Sequence, residues 1–332
     1  MNRSRSALTL ALAWMLPELA HALMAGVAPD SPAARIDPNA AASTWSSAVS
    51  VIVAGSAYSG VVVAPSHVLT AAHVAGGAQP AAITVQVNSQ PAPVVLAVSA
   101  VTSFPSASFP YDDLTLLTLA APVPAEVAIR PVLTSSLPSR QTLTLVGYGA
   151  SGHGDAGPTV GGSASVKRRG TAVADAVQSA IDSSGRTSLF YLFDFDGPSG
   201  NGAMGGSTLG NSFETGLASG DSGSPAFAEI NGQLWLVGIN TFVAPGSGSG
   251  PADYRFGTIG GGMLLSDPRF VSWLTSQTQG TLGMPADAAV GDIPIPSWAL
   301  AGLGGLLGGQ LFWLRPGRAP SGRRRWSLGS GD

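Results

Sequence analysis

Gly220-Asp221-Ser222-Gly223-Ser224-Pro225 is the stretch on which the reading of this chain turns. It sets a serine on a turn with glycines close on both sides, where backbone angles closed to other residues are open and another main chain can approach closely. The serine hydroxyl and the neighbouring N–H groups then face the same space. In a chain with 44 glycines among 332 residues, such a run alone is also compatible with an ordinary surface turn. Two further segments give it chemical meaning. In Val68-Leu69-Thr70-Ala71-Ala72-His73 an apolar, strand-like run from Gly60 to Leu69 delivers a histidine behind two alanines, which leave the imidazole room. In Tyr111-Asp112-Asp113-Leu114-Thr115-Leu116-Leu117 an aspartate stands directly before a strand pattern. A serine nucleophile needs a base within hydrogen-bond reach and a carboxylate that fixes the base's tautomer and stabilises the imidazolium. All three residue types are present.

In the order His73, Asp113, Ser222, and with these neighbours, the chain resembles the trypsin and chymotrypsin family of serine proteases from about Leu23 to Gln279. Subtilisin-like and α/β-hydrolase enzymes carry the same three residues in other orders. The resemblance implies an all-β fold of two antiparallel six-stranded β-barrels with a short C-terminal helix and the site between the barrels. It implies Ser222 as nucleophile, His73 as general base and then acid, and Asp113 as the orienting carboxylate, with Asp112 as competitor. Asp113 is preferred because it immediately precedes Leu114, and alternation puts Leu114, Leu116 and Thr118 on one side of the strand and Thr115, Leu117 and Leu119 on the other. The N–H groups of Gly220 and Ser222 would form the oxyanion hole, each donor contributing about 2.7–4 kcal/mol to the barrier. Gly216, six residues before the nucleophile, would be the base of the specificity pocket, and an uncharged base argues against an Arg or Lys preference. Thr241, Phe242 and Val243 would bind the substrate backbone and wall the pocket, with Val243 narrowing it toward small or medium apolar side chains. Should a basic preference exist, Asp253 would be the acid to reach that pocket. No cofactor and no metal is expected, and the partners are protein or peptide substrates. A catalytically inactive binding module on the same fold is the alternative.

The chain departs from the family in two respects. It has no cysteine, and Val74 stands where animal members carry a disulfide cysteine after the histidine. Packing alone must hold the barrels, which a chain of this length with 45% hydrophobic residues has surface enough to do. An exported protein without disulfides points to a bacterial source. Ser224 replaces the more frequent second glycine after the nucleophile and leaves the mechanism unaffected.

The ends predict where the protein works. Residues 1–22 combine Arg3 and Arg5, the apolar run Ala7 to Leu16 and Ala20-His21-Ala22, the pattern of a secretory signal peptide cut by signal peptidase. Cleavage would expose Leu23, and Leu23-Met24-Ala25-Gly26 looks like a degenerate copy of the family's inserted N-terminus, so that the Leu23 amine would pair with Asp221. A second cut at Arg35-Ile36 is the rival start, disfavoured because Asp37 puts a charge where an apolar residue belongs. The protease domain would span 23–280 and a linker 281–296. Residues 297–314 carry no charge and suffice as a marginal transmembrane or sorting helix, and the basic tail 315–332 would lie inside the cell. Pro294 to Trp298, the apolar run and the arginine cluster together resemble a PEP-CTERM type sorting signal read by a C-terminal sorting enzyme; a permanent anchor is the simpler reading. The expected location is periplasmic, cell-surface or extracellular.

Without Arg3, Arg5 and the five tail arginines, nine basic residues stand against seventeen acidic ones in the exported body, which gives nucleic acid little attraction. Asp194, Asp196 and Asn201 lack the regular acidic ladder of a calcium loop. His67 and His153 have no zinc pattern and are expected on the surface or in loops. Short apolar runs between Val49 and Leu119 predict the first barrel. Thr142 to Tyr148, Leu189 to Phe195, Ala226 to Ile230 and Leu234 to Phe242 supply strands of the second, and Asp267 to Gln277 the closing helix.

Overall fold

The computed structural model describes residues 23–283 apart from 41, 90, 201 and 247–250. The expected signal segment 1–22, Asn201, the linker beyond residue 283, the apolar segment 297–314 and the tail 315–332 lie outside the described residues. Among the described residues no helix is long and apolar enough to cross a membrane.

Six strands form a closed barrel: β1 (Ala48–Val53), β2 (Ser56–Ala64), β3 (His67–Thr70), β4 (Ile83–Val87), β5 (Val94–Ser103) and β6 (Thr115–Leu119), in the order β1-β2-β3-β6-β5-β4. A short helix, α1 (Ala72–Ala75), leaves β3 directly. Period-two burial drives closure, since Val49, Val51, Val62, Val68, Val85, Leu117 and Leu119 gather inside. Strand β6 is apolar on its other face as well, and there Leu114 and Leu116 join a second cluster with Phe104, Phe190, Phe227 and Phe270. That cluster seals the barrel against the rest of the chain.

The second half holds β7 (Thr142–Gly147), the small pair β8 (Ser151–His153) and β9 (Gly157–Val160), β10 (Arg168–Val173), β11 (Ala176–Ile181), β12 (Thr187–Asp194), β13 (Pro225–Ile230), β14 (Gln233–Ala244) and β15 (Ile259–Leu264). It corrects the expectation of a second six-stranded barrel. Seven strands form one sheet in the order β10-β7-β13-β14-β15-β12-β11, and β8 pairs only with β9. The cause is local. A tight turn at Asp182–Arg186, with the Asp182 carboxylate accepting from the N–H groups of Ser184 and Arg186, folds β11 back on β12 in register from Ala176↔Leu192 to Ile181↔Thr187. Strand β11 thus takes the edge of β12 that a closed barrel would offer to β10.

Helix α2 (Pro268–Gln277) closes the described fold, with Asp267 capping its N-terminus by accepting from the Arg269 N–H at 2.9 Å. It buries Phe270 and Leu274, and Phe104 meets Phe270 edge-on at 4.9 Å. The expected boundary at residue 280 falls too early, because Gly283 still donates its N–H to Val63 O at 2.7 Å.

Candidate active site

His73 sits in α1, directly behind β3 of the first barrel. Its backbone N–H donates to Asp113 Oδ1 at 2.8 Å, and its ring Nδ1 lies 2.6 Å from Asp113 Oδ2. Nε2 lies 2.8 Å from Ser222 Oγ. Asp113 is wholly buried. Both its oxygens are held by His73, and its carbonyl accepts from Ala72 N–H at 3.2 Å. The tautomer that satisfies this chain has the proton on Nδ1, donated to the carboxylate, and leaves Nε2 free to accept from the serine hydroxyl. Three residues separated by 40 and 149 positions thus form one line of hydrogen bonds.

The turn carrying Ser222 is fixed from both halves of the molecule. Gly220 and Gly223 have φ of 92° and 84°, angles at which a side chain is strained. Ser59 of β2 reaches across: its N–H donates to Ser222 O at 3.2 Å and its hydroxyl to Gly220 O at 3.0 Å. Asn240 of β14 accepts from Gly223 N–H on its carbonyl and donates its side-chain amide to Ser224 Oγ at 2.8 Å, while Tyr191 OH donates to its Oδ1 at 2.7 Å. Ser224 therefore has a partner of its own. Among the described residues neither the N–H of Gly220 nor that of Ser222 has a protein acceptor, so both donors are open beside the hydroxyl.

Ser59, Asn240 and Phe109 were not singled out by the sequence reading. Phe109 is 57% exposed, and its ring stands edge-on to His73 at 5.1 Å. Ser59 sits in an apolar run and Asn240 in a strand, with no local signal that either contacts a turn far away in the chain.

A cleft of about 490 Å³ opens from His73 and Ser222 and is walled by Leu217, Ala218, Thr241, Phe242, Val243 and Tyr254. Gly216, expected at its base, does not line it. Gly216 is behind the wall, where its carbonyl accepts from Met24 N–H at 3.0 Å and its Cα faces the ring of Phe195. Leu217 takes the lining position, because an ungapped count from the nucleophile cannot anticipate which residue of the loop turns inward. Asp253 lies outside the cleft, beside Arg255.

Behind Ser222, the neighbouring Asp221 is 1% exposed. Its carboxylate accepts from Ala218 N–H and Gly149 N–H, each at 3.0 Å, and from Leu23 N–H at 3.3 Å. Burial pushes its carboxyl up to about 7, with the three N–H donors and Arg168 pulling the other way. Arg168 is itself buried, its Nη1 and Nη2 have no hydrogen-bond partner among the described residues, and burial lowers it to about 9. Leu23, Met24 and Ala25 are wholly buried. Ser151 Oγ donates to Leu23 O, Thr215 Oγ1 to Met24 O at 2.6 Å, and Ala25 N–H to Gly152 O at 2.9 Å. Arg35 is buried too, paired with Asp30 at 2.6 Å and donating to the carbonyls of Asn211, Phe213 and Glu214. A chain beginning at Ile36 would lack all of these contacts. His153, expected on the surface or in a loop, lies in β8 with Nδ1 2.8 Å from Gly26 O. His67 starts β3, and burial lowers its pKa.

Asp112 takes no part in the line to Ser222. Buried, with φ of 48°, it accepts from Arg269 Nη1 and Nη2 at 3.1 and 3.0 Å, from Ser106 Oγ at 2.6 Å and from Ser188 Oγ at 2.7 Å. It ties the loop that carries Asp113 to β12 and α2.

Residues 37–190 match the Trypsin family model. This supports a trypsin/chymotrypsin-like serine protease, and the closed barrel with its short C-terminal helix is consistent with that fold. The match contains His73 and Asp113 and ends before Ser222. No curated protein matches the chain.

Proposed function

We propose that this protein is a serine endopeptidase that cuts peptide bonds through Ser222, His73 and Asp113 by way of an acyl-enzyme. The observation that carries the reading is the unbroken line Asp113 Oδ2 to His73 Nδ1, and His73 Nε2 to Ser222 Oγ, at 2.6 and 2.8 Å. Nε2 takes the proton of the serine hydroxyl as Oγ attacks the scissile carbonyl, and the buried carboxylate of Asp113 stabilises the imidazolium that forms. The oxygen of the tetrahedral intermediate receives the open N–H groups of Gly220 and Ser222. Collapse passes the Nε2 proton to the leaving amine, and water repeats the sequence on the ester. Leu217, Phe242 and Val243 give the cleft an apolar wall, and the carboxylate of Asp221, which also borders it, is taken up by the N–H groups of Leu23, Gly149 and Ala218, which supports cleavage after small or apolar residues.

The segment 1–22 supports export and its removal after Ala22, and residues 297–314 with the arginines behind them support a membrane anchor or sorting signal, on the sequence alone. Cleavage there would turn the Leu23 N–H beside Asp221 into an α-ammonium group.

A fluorophosphonate probe should label the wild-type protein at Ser222 and leave Ser222→Ala unlabelled. Hydrolysis of casein should vanish in that variant while its thermal unfolding is unchanged, since members of a triad act as a unit. A folded wild type that resists the probe would instead favour a binding module without catalysis. A library profile dominated by Arg or Lys before the cut would refute the side-chain preference.

A further inference from the structure

At the end of β12, buried negative charge accumulates with little positive charge to meet it. Asp194 and Asp196 are 2% and 6% exposed; Asp194 Oδ2 accepts from Met204 N–H, while Asp194 Oδ1 and Asp196 Oδ1 are each shut off from solvent with no hydrogen-bond partner among the described residues. A methyl group built on Gly202 would collide with Asp196 Oδ1 and Asp194 Oδ2 together. Two carboxylates therefore converge on one point, above a residue with no side chain. Asp175 stands behind them, its Oδ2 accepting from Asp194 N–H at 3.3 Å, and Glu214 is buried nearby with Oε2 accepting from Leu209 N–H at 2.7 Å. Asp194 is among the charges that raise Asp175, Asp196 and Glu214, after burial itself. Against these four acids, the cation within ion-pair distance among the described residues is Arg140, half exposed and 3.3 Å from Asp175 Oδ1.

A buried carboxylate oxygen without a donor is costly, and such groups are ordinarily paired or bound to metal. We propose that Asp194 and Asp196 hold a calcium ion between their facing carboxylates, beside Gly202. All the donors are hard oxygens, and calcium accepts six to eight of them in irregular geometry, including main-chain carbonyls and water, where magnesium demands a near-ideal octahedron. Among the described residues no three acidic or histidine side chains gather closely enough to hold a metal ion unaided. The two aspartates must therefore be completed by main-chain oxygens and water, which is the kind of set calcium tolerates. This departs from the absence of a regular acidic ladder in the sequence, because convergence here is made by a loop closing over a strand end and not by a fixed spacing.

The site reaches the cleft through Phe195, which lies between the two aspartates. Its ring is buried with Met24 and Ala218 and lies against Gly216. A cation that fixes the strand end on both sides of Phe195 braces the wall of the cleft and the bed of residues 23–25 together. The proposal stands whether or not the protein hydrolyses peptides.

Thermal unfolding of the purified chain at neutral pH, in millimolar calcium and in EDTA, tests it. A ligand at a hundredfold excess over its Kd should raise the melting temperature by about 5–10 °C. Asp196→Asn keeps the shape and removes one of the repelling charges, so in EDTA it should melt no lower than wild type, and calcium should no longer shift it. Asp253→Asn, at an exposed carboxylate, should keep the full shift. Equal melting of the wild type in calcium and EDTA would overturn the proposal, and so would an undiminished calcium shift in Asp196→Asn. Protons are the other means of relieving the repulsion; a wild type indifferent to calcium but stabilised by acidification would assign the cluster to them.

Discussion

Asp112 and Asp113 are adjacent and both buried, yet they differ in everything they touch. Asp113 gives both oxygens to His73, whereas Asp112 gives both to Arg269 and one each to Ser106 and Ser188. Asp113→Asn should therefore lower kcat by about 10⁴, through loss of the tautomer that leaves Nε2 free to accept. Asp112→Asn should keep kcat within a few-fold of wild type but lose about 2 kcal/mol of stability, a drop in melting temperature of about 4–8 °C, because it breaks a largely buried charge pair. Kinetics and calorimetry on the two variants separate the roles, and a reversal would move the orienting carboxylate to Asp112. The sequence alone makes Asp112→Asn a mild change, since two of its partners, Ser188 and Arg269, lie 76 and 157 residues away and nothing local announces them. The motifs around His73, Asp113 and Ser222 were legible because each is short and contiguous. The supports of the turn, Ser59 and Asn240, were not, because each acts through one hydrogen-bonding atom delivered by tertiary packing.

Strands were readable where burial alternates or saturates and unreadable where another demand set the composition. Strand β10 begins with two arginines, and β15 reads Ile-Gly-Gly-Gly-Met-Leu, which looks like a loop. The glycines of β15 answer to packing: a Cβ on Gly260 would meet the ring of Phe193 at 2.5 Å, and one on Gly261 the ring of Phe242 at 2.6 Å. At Gly262 a Cβ would strike Ile239 O and come within 2.7 Å of Tyr191 OH. Backbone cannot step aside as a side chain can, so Gly262→Ala should cost about 1–3 kcal/mol in a denaturant titration. Gly161→Ala, where a Cβ meets nothing within 4 Å, should leave the midpoint near that of wild type. Since chain entropy favours alanine over glycine at both positions, similar losses at both sites would mean that contact with Ile239 and Tyr191 does not set the cost.

Across the whole molecule, the first barrel supplies His73 and Asp113, the second half supplies Ser222, and residues 23–36 strap into the second half beneath the nucleophile turn. The strap ends on Asp221, whose carboxyl burial pushes up to about 7 in a chain that runs on through Leu23. A folded-state pKa above the unfolded value of about 3.9 means that protonation favours the fold, so stability is complete below about pH 4 and declines as pH rises through 7. The loss at neutral pH amounts to about 4 kcal/mol for this wholly buried group. A free α-amine on Leu23 reverses the sign. Its unfolded pKa is about 7.7–8.0, pairing with Asp221 raises it, and the stabilisation is full below that value and fades only as pH climbs through the raised one. A chain carrying extra residues ahead of Leu23 should therefore lose stability between about pH 4 and pH 7, and with it part of its esterase rate relative to the form starting at Leu23, which should hold its stability to about pH 8 and then decline. The measurement is melting temperature and esterase rate against pH for the two forms, with N-terminal sequencing of the active protein. Superimposable profiles would show that Arg168 and the amide donors suffice to hold Asp221 and that a free amine at Leu23 is not what activates the site.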